Sequence, residues 1–295
     1  MPSPVVRFRG LRDERVDSRR RAIVVSAYLA ILGMRCKVLL QYRAAAFAGF
    51  VTQLFWGFIK VMVFVAFYAA VSEPQPLDFS QVLVYIWLGQ GLLGLLPWNV
   101  DREIAGQIRT GNVAYELLRP LGLYAYWFAR TLAFRLVPTG LRVVPMLVFT
   151  WFALPLLGLG EWALPPPPGW VNAVLFCFAV AGALFLSTAF TMVLHIGLIW
   201  TISGEGINRM MPGIVPLLAG LVVPLPLFPD WLQPVLYWQP FRSMADVPFR
   251  IYSGHISAAE ALPELLLQWL WFGLIVTFGL ALLGRAGRRL VVQGG

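Results

Sequence analysis

The chain has 295 residues, of which 59% are hydrophobic and 13% charged, with a formal net charge of +9. Soluble domains carry roughly 25% charged residues, so a soluble globule could not hide this apolar surface and the composition predicts an all-α, polytopic membrane protein. The apolar runs are continuous rather than alternating over about 10 residues, which excludes a transmembrane β-barrel.

All basic residues but Lys37 and Lys60 are arginines. Many of them flank the apolar runs, over 7–43, 102–119 and 285–289. That placement follows the positive-inside rule and gives nucleic-acid binding no support. Cys36 lies in a basic segment and Cys177 in an apolar run, so they are not paired; without CxxC or Cys/His spacing, a zinc site is excluded.

Residues 1–21 are Arg-rich but hold Asp13, Glu14 and Asp17. They lead to no clear cleavage site and read as a cytoplasmic extension. Ala22–Met34 is too short to cross a bilayer. With Arg35, Lys37 and Arg43 behind it, the stretch 22–43 reads as an interfacial helix, or as an extension of the first span. Six spans are expected within a single domain over 44–290. They run over 44–71, 79–98, 136–159 (after a buried or interfacial approach over 124–135), 170–200, 210–228 and 262–283. The loop 72–78 carries Glu73 and Asp78 and no base. The loop 160–169 carries Glu161 and four consecutive prolines. The island, the Arg209 turn and both ends carry most of the arginine, and only the mixed segment 229–261, whose Arg242 and Arg250 are balanced by acids, stands apart. The expected orientation is N-in/C-in.

No GxxxxGK[ST] exists, so the chain cannot cradle ATP by a P-loop. His195 and His255 are the only histidines. Neither HExxH nor GxSxG occurs, and no acidic pair lies inside a span, which disfavours an enzyme.

The polar island 101–120, DREIAGQIRTGNVAYELLRP, interrupts the apolar runs. Val100, Ile104 and Ile108 fall four apart on one helical face. Thr110-Gly111-Asn112 makes a turn, and Arg119-Pro120 ends a second short apolar helix. The spacing suits either a docking helix for a soluble partner or a loop solvated by headgroups. Farther on, the prolines of 224–248 forbid a continuous helix, and Trp231, Tyr237, Trp238 and Phe241 suit a membrane interface.

The interfacial helix before six spans, the island ending IRTGNVAYELLRPL, and the late LPLFPDWLQPVLYWQPF…P…YSG pattern together resemble permease subunits of ABC-2-type transporters. The resemblance covers about residues 25–290. It is nearest the branch whose two different permeases pair with one ATPase type, linked to viologen export. It implies an exporter of a hydrophobic, amphipathic or lipid-like substrate in the cell inner membrane. The partners implied are ATPase subunits that bind ATP and Mg, a second homologous, non-identical six-span permease, and membrane lipids; the chain itself needs no cofactor. The island becomes the ATPase-coupling segment, through Asp101, Arg102, Glu103, Ile104, Gln107, Ile108, Arg109, Gly111, Glu116 and Arg119. Residues 229–261 become an external cap.

Other residues keep two readings. Glu205 and Arg209 form a local i,i+4 pair or a second ATPase contact. Lys60, Trp56 and Trp87 line a pathway, or pair and pack structurally. Arg130, Arg135 and Arg142 anchor structure or lipid, or contact a second permease. His195 is a hydrogen-bonded core histidine or a proton relay. The functional alternatives to a permease are a lipid-modifying membrane enzyme and a non-transporting scaffold.

Overall fold

The computed structural model describes residues 25–201 and 205–286. The extension 1–21, the start of the 22–43 segment, and Arg288 and Arg289 lie outside the described residues.

Eleven helices are described, and no strand is present among the described residues. Helix α1 covers 25–40, and a turn at 41–42 separates it from α2, Arg43–Ala70. The two are distinct helices and not one extended span. They are followed by α3 (Phe79–Gly91), α4 (Arg102–Arg109), α5 (Val113–Leu117), α6 (Leu123–Leu156), α7 (Trp170–Thr201), α8 (Glu205–Leu218), α9 (Gln233–Trp238), α10 (Asp246–Tyr252) and α11 (Ala258–Ala286). Four of these, α2, α6, α7 and α11, are long and apolar enough to cross a membrane.

Two of the six expected spans are not single long helices. Helix α3 has 13 residues, which at 1.5 Å per residue is about 20 Å, short of a hydrocarbon core of about 30 Å. It continues as a 3₁₀ turn at Leu93–Leu95 and then as irregular chain to Pro97. Helix α8 stops at Leu218 in a Schellman-type ending. Gly220 has φ +81°, its N–H reaches the Leu217 carbonyl, and Leu221 N–H reaches Pro216. Irregular backbone survives at membrane depth only inside protein. Leu95, Leu96, Pro97 and Val100 of the irregular stretch are accordingly buried, as is all of Val82–Gly91 before it.

The carbonyls freed by these breaks are met by side chains. Arg135 donates to the Asn99 carbonyl at 2.5 Å and the Gly94 carbonyl at 3.4 Å, while also reaching Asn99 Oδ1 and Thr191 Oγ1. The Ser187 hydroxyl donates to the Leu95 carbonyl. At the second break Lys60 Nζ donates to the Leu221 carbonyl at 2.5 Å, and Gln239 to Leu218 at 2.8 Å. Two cations conspicuous in apolar runs thus serve as backbone caps.

Helix α6 departs from expectation in another way. No break falls near Arg135; one helix runs from Leu123 to Leu156 through Pro138 and Pro145, with a π-helical turn at Phe149–Ala153. The arginines do not mark an exit to water, because Arg130 and Arg135 are buried against polar partners.

The 229–261 segment is built of short helices that pack inward, with α10 against α7 and α3. Arg242 forks onto Glu264 at 2.8 and 3.0 Å. Fully buried Asp246 accepts from the Tyr85 hydroxyl of α3 through Oδ1. Its Oδ2 lies 3.7 Å from Arg250 Nη1 and 4.0 Å from Arg242 Nε. Burial pushes the Asp246 carboxyl above the ordinary range, against the pull of Arg250 and Arg242. The native protein therefore holds this proton more tightly than the unfolded chain. The resulting stability is full below the ordinary carboxylate range and is lost as pH rises through the raised native value. Wild-type protein in detergent is expected to gain more thermal stability than Asp246→Asn on acidification across that window. Parallel melting-temperature profiles for the two would reject the assignment.

Candidate functional site

The polar island folds as two short helices packed on one end of the bundle. Asp101 begins α4: its carboxylate accepts from Glu103 N–H at 2.9 Å. Its own N–H donates to His195 Nε2 of α7 at 2.9 Å, which makes His195 a core acceptor. Gly111, at φ +73°, turns the chain from α4 into α5 in a conformation L side chains resist.

The apolar stripe read from the four-residue spacing faces the protein's own interior. Ile104 is fully buried with Val113, Trp127, Met192, Ile196 and Ala286, and Ile108 packs on the same cluster. Val100 packs with Leu194 and Leu198 of α7. Because Ala286 belongs to this cluster, the C-terminal end of α11 shares the island's end of the bundle. The loop after α6 gathers with the cap at the other end, where Tyr252 reaches the Pro165 carbonyl at 3.0 Å.

A chain of ion pairs fixes the island beneath this cluster. Arg35 of α1 lies 3.4 Å from Asp101 and also bonds Glu103. Glu103 lies 2.9 Å from Arg130 Nη2 of α6, and Arg130 Nη1 lies 3.2 Å from Glu116 of α5 and 3.4 Å from Gln107 of α4. Trp127 Nε1 donates to the other Glu116 oxygen at 2.5 Å. Burial pulls the Arg35 guanidinium down, but the carboxylates of Glu103 and Asp101 outweigh it, and its pKa stands above the ordinary value. One guanidinium, that of Arg130, thus grips both island helices. The network joins α1, α4, α5 and α6 into one rigid end.

The island's outward surface is different from its predicted stripe. Arg102, Arg109, Asn112 and Arg119 are exposed, beside Tyr115 at 71% and Leu118 at 82% exposure. Glu116 faces inward instead, and Gln107 is half-buried against Arg130. Arg119 bonds the Tyr126 hydroxyl at 3.0 Å and stacks over that ring.

The remaining candidates are scattered. Glu205 opens α8, and its side chain lies outside the described residues; Arg209, one turn on, is exposed. Trp56 is 53% exposed on the outer face of α2. Trp87 is buried, donates to the Trp162 carbonyl at 2.7 Å, and packs so tightly on Gly57 that a Cβ there would meet its ring at 2.5 Å. Lys60 is occupied by Leu221. Sequence reasoning missed Arg35, Tyr126 and Trp127 as parts of the site. The available signal was an arginine or a hydrogen-bonding aromatic inside an otherwise apolar run.

A family model described as "ABC-2 family transporter protein" matches residues 54–294. No curated protein and no solved structure matches the chain. The match takes in the island, three of the four long helices whole and most of the first. The chain therefore belongs to the ABC-2 transporter family.

Proposed function

We propose that this chain is the membrane-embedded permease subunit of an ATP-driven exporter, and that the outward face of its polar island receives the ATPase. Family membership makes it a multi-pass membrane transport subunit, of a kind that works with ABC ATPases. The observation that carries the docking assignment is the island's two-sidedness. Its inner side is locked by Arg35, Arg130 and Glu116. Its outer side presents Tyr115 and Leu118 among arginines, the aromatic–arginine composition of interface anchors.

On this reading ATP and Mg sit in the partner, which closes and pushes on Arg102, Arg109, Tyr115, Leu118 and Arg119. The rigid end transmits the push to α6 through Arg130 and to α7 through His195. The bundle rocks between inward- and outward-open forms, and a hydrophobic or amphipathic substrate leaves the cytoplasm or inner leaflet. A second, homologous and non-identical permease completes the path. We read six crossings with both ends inside, in the cell inner membrane; the island and the C-terminal end of α11 lying at one end of the bundle support that reading. Single cysteines are expected to label from outside at 161 and only from inside at 109; the reverse pattern overturns the orientation.

The test of function is the pair Tyr115→Asp and Leu118→Asp in the assembled complex. Both side chains are exposed, so folding is preserved. Loss of an interface anchor costs about 2 kcal/mol, about thirtyfold in affinity. ATPase co-purification and drug or lipid efflux are expected to fall together. Normal retention of the ATPase with full flux would remove the island from the coupling role.

A further inference from the structure

Beside the island lies a second feature, which shares only Arg119 with the proposed ATPase-docking face. A cleft of about 240 Å³ opens between α1, the island and α6. Three guanidinium groups line it, Arg35, Arg119 and Arg130, against the single carboxylate of Glu103. Met34 and Val38 of α1 form its apolar rim.

The cations are not saturated. Arg130 is 4% exposed, yet its Nε has no hydrogen-bond partner. Its Nη2, though 2.9 Å from Glu103, is out of hydrogen-bond alignment. Arg35 Nε is likewise buried without a partner. Arg119 is exposed and bonds a tyrosine hydroxyl rather than a carboxylate. Forked, planar donors converging in this way match the oxygens of a phosphate group.

A second cleft, of about 510 Å³, flanks the same helix. Leu29 and Leu32 of α1 stand on it, and Leu32 lies one turn before Arg35 of the cationic cleft. With Phe128 and Phe272 they line a groove that is almost wholly apolar. A cationic cleft and an apolar groove therefore lie side by side along α1, whose described residues are rich in exposed Leu, Met and Val.

We infer that α1 and the island form a binding site for an anionic phospholipid, with its phosphate among Arg35, Arg119 and Arg130 and an acyl chain in the groove lined by Leu32 and Phe128. Asp101 and Glu116 already pair with Arg35 and Arg130, so Arg119, held by a tyrosine hydroxyl, is the cation that selects a net-negative headgroup over a zwitterionic one. The groove selects a lipid over a free phosphate. Such a lipid would brace α1 against the island from the membrane side.

The experiment uses the full-length chain alone, purified in detergent, so neither ATPase docking nor flux enters the result. Native mass spectrometry is run with phosphatidylglycerol, with phosphatidylcholine of the same chains, and with phosphatidylglycerol plus excess glycerol 3-phosphate. Phosphatidylglycerol is expected to be retained in preference, and glycerol 3-phosphate not to displace it. Arg119→Gln is expected to lower retention about fivefold, the worth of about one basic residue at an anionic surface. Leu32→Trp, which fills the groove, is expected to lower it as well. Equal retention of the two lipids, or unchanged retention in Arg119→Gln, overturns the site. Displacement by glycerol 3-phosphate, or full retention in Leu32→Trp, overturns the lipid and leaves a site for soluble phosphate.

Discussion

Ile104→Asp is expected to abolish folding of the island, and with it the accumulation of the protein in the membrane. Ile104 has no exposure and touches the apolar ends of α6, α7 and α11. Truncating such a side chain costs about 2–5 kcal/mol. The aspartate adds a carboxylate in an apolar cluster, where a charge without a partner is far more expensive than a missing methyl. The sum rivals the whole stability of a domain, about 5–15 kcal/mol. Leu118→Asp, fourteen positions on and 82% exposed, is expected to leave the melting temperature of the purified chain unchanged. The comparison separates packing from docking, since loss of transport in Ile104→Asp says nothing about where the ATPase sits. Wild-type thermal stability in Ile104→Asp would show that the stripe does not face the bundle.

The second large effect is expected at Arg130. Removing it as Arg130→Ala leaves Glu116, itself 4% exposed, with Trp127 as its remaining polar contact. Breaking one partner of a buried ion pair costs about 3–5 kcal/mol, chiefly because the other charge stays behind. The double variant Arg130→Met with Glu116→Gln removes both charges, keeps an acceptor for Trp127, and is expected to recover most of that loss. Arg130→Lys keeps the charge but cannot fork between α4 and α5, and falls between. Detergent thermal denaturation of the four proteins measures the coupling. A double variant no more stable than Arg130→Ala would mean that the pair contributes through shape and not charge.

The parts of this fold that were legible in the sequence are those set by local pattern. Four apolar runs became long helices because a run of that length has no other way to satisfy its backbone in lipid. The island's two helices and the Gly111 turn follow from spacing and turn chemistry. What was not legible depends on partners far away in the chain. Arg35 meets Glu103 across 68 residues, and no periodicity announces it. The apolar face of α4 was visible, but its direction was not; an amphipathic stripe reads alike whether it covers its own bundle or a partner. Arg135 looked like the end of a span because a charge in an apolar run is usually a boundary. It is instead the group that makes the irregular chain after α3 tolerable, and that chain is recognisable only once Gly94 and Asn99 are seen beside it. Likewise α3 and α8 were read at full span length from hydropathy, which does not register that the helices end at Gly91 and Leu218.

The pairing of Lys60 with the Leu221 carbonyl has a consequence for biogenesis. The two are separated by 161 residues. Synthesis proceeds from the N-terminus, so the first long helix reaches the bilayer while its acceptor is still untranslated. A lysine at the middle of an inserted helix costs about 2.5–3.5 kcal/mol on the insertion scale, and that cost stands until the last third of the chain arrives. Helix α2 is therefore expected to settle to its final depth late, once the broken stretch after α8 supplies the Leu221 carbonyl.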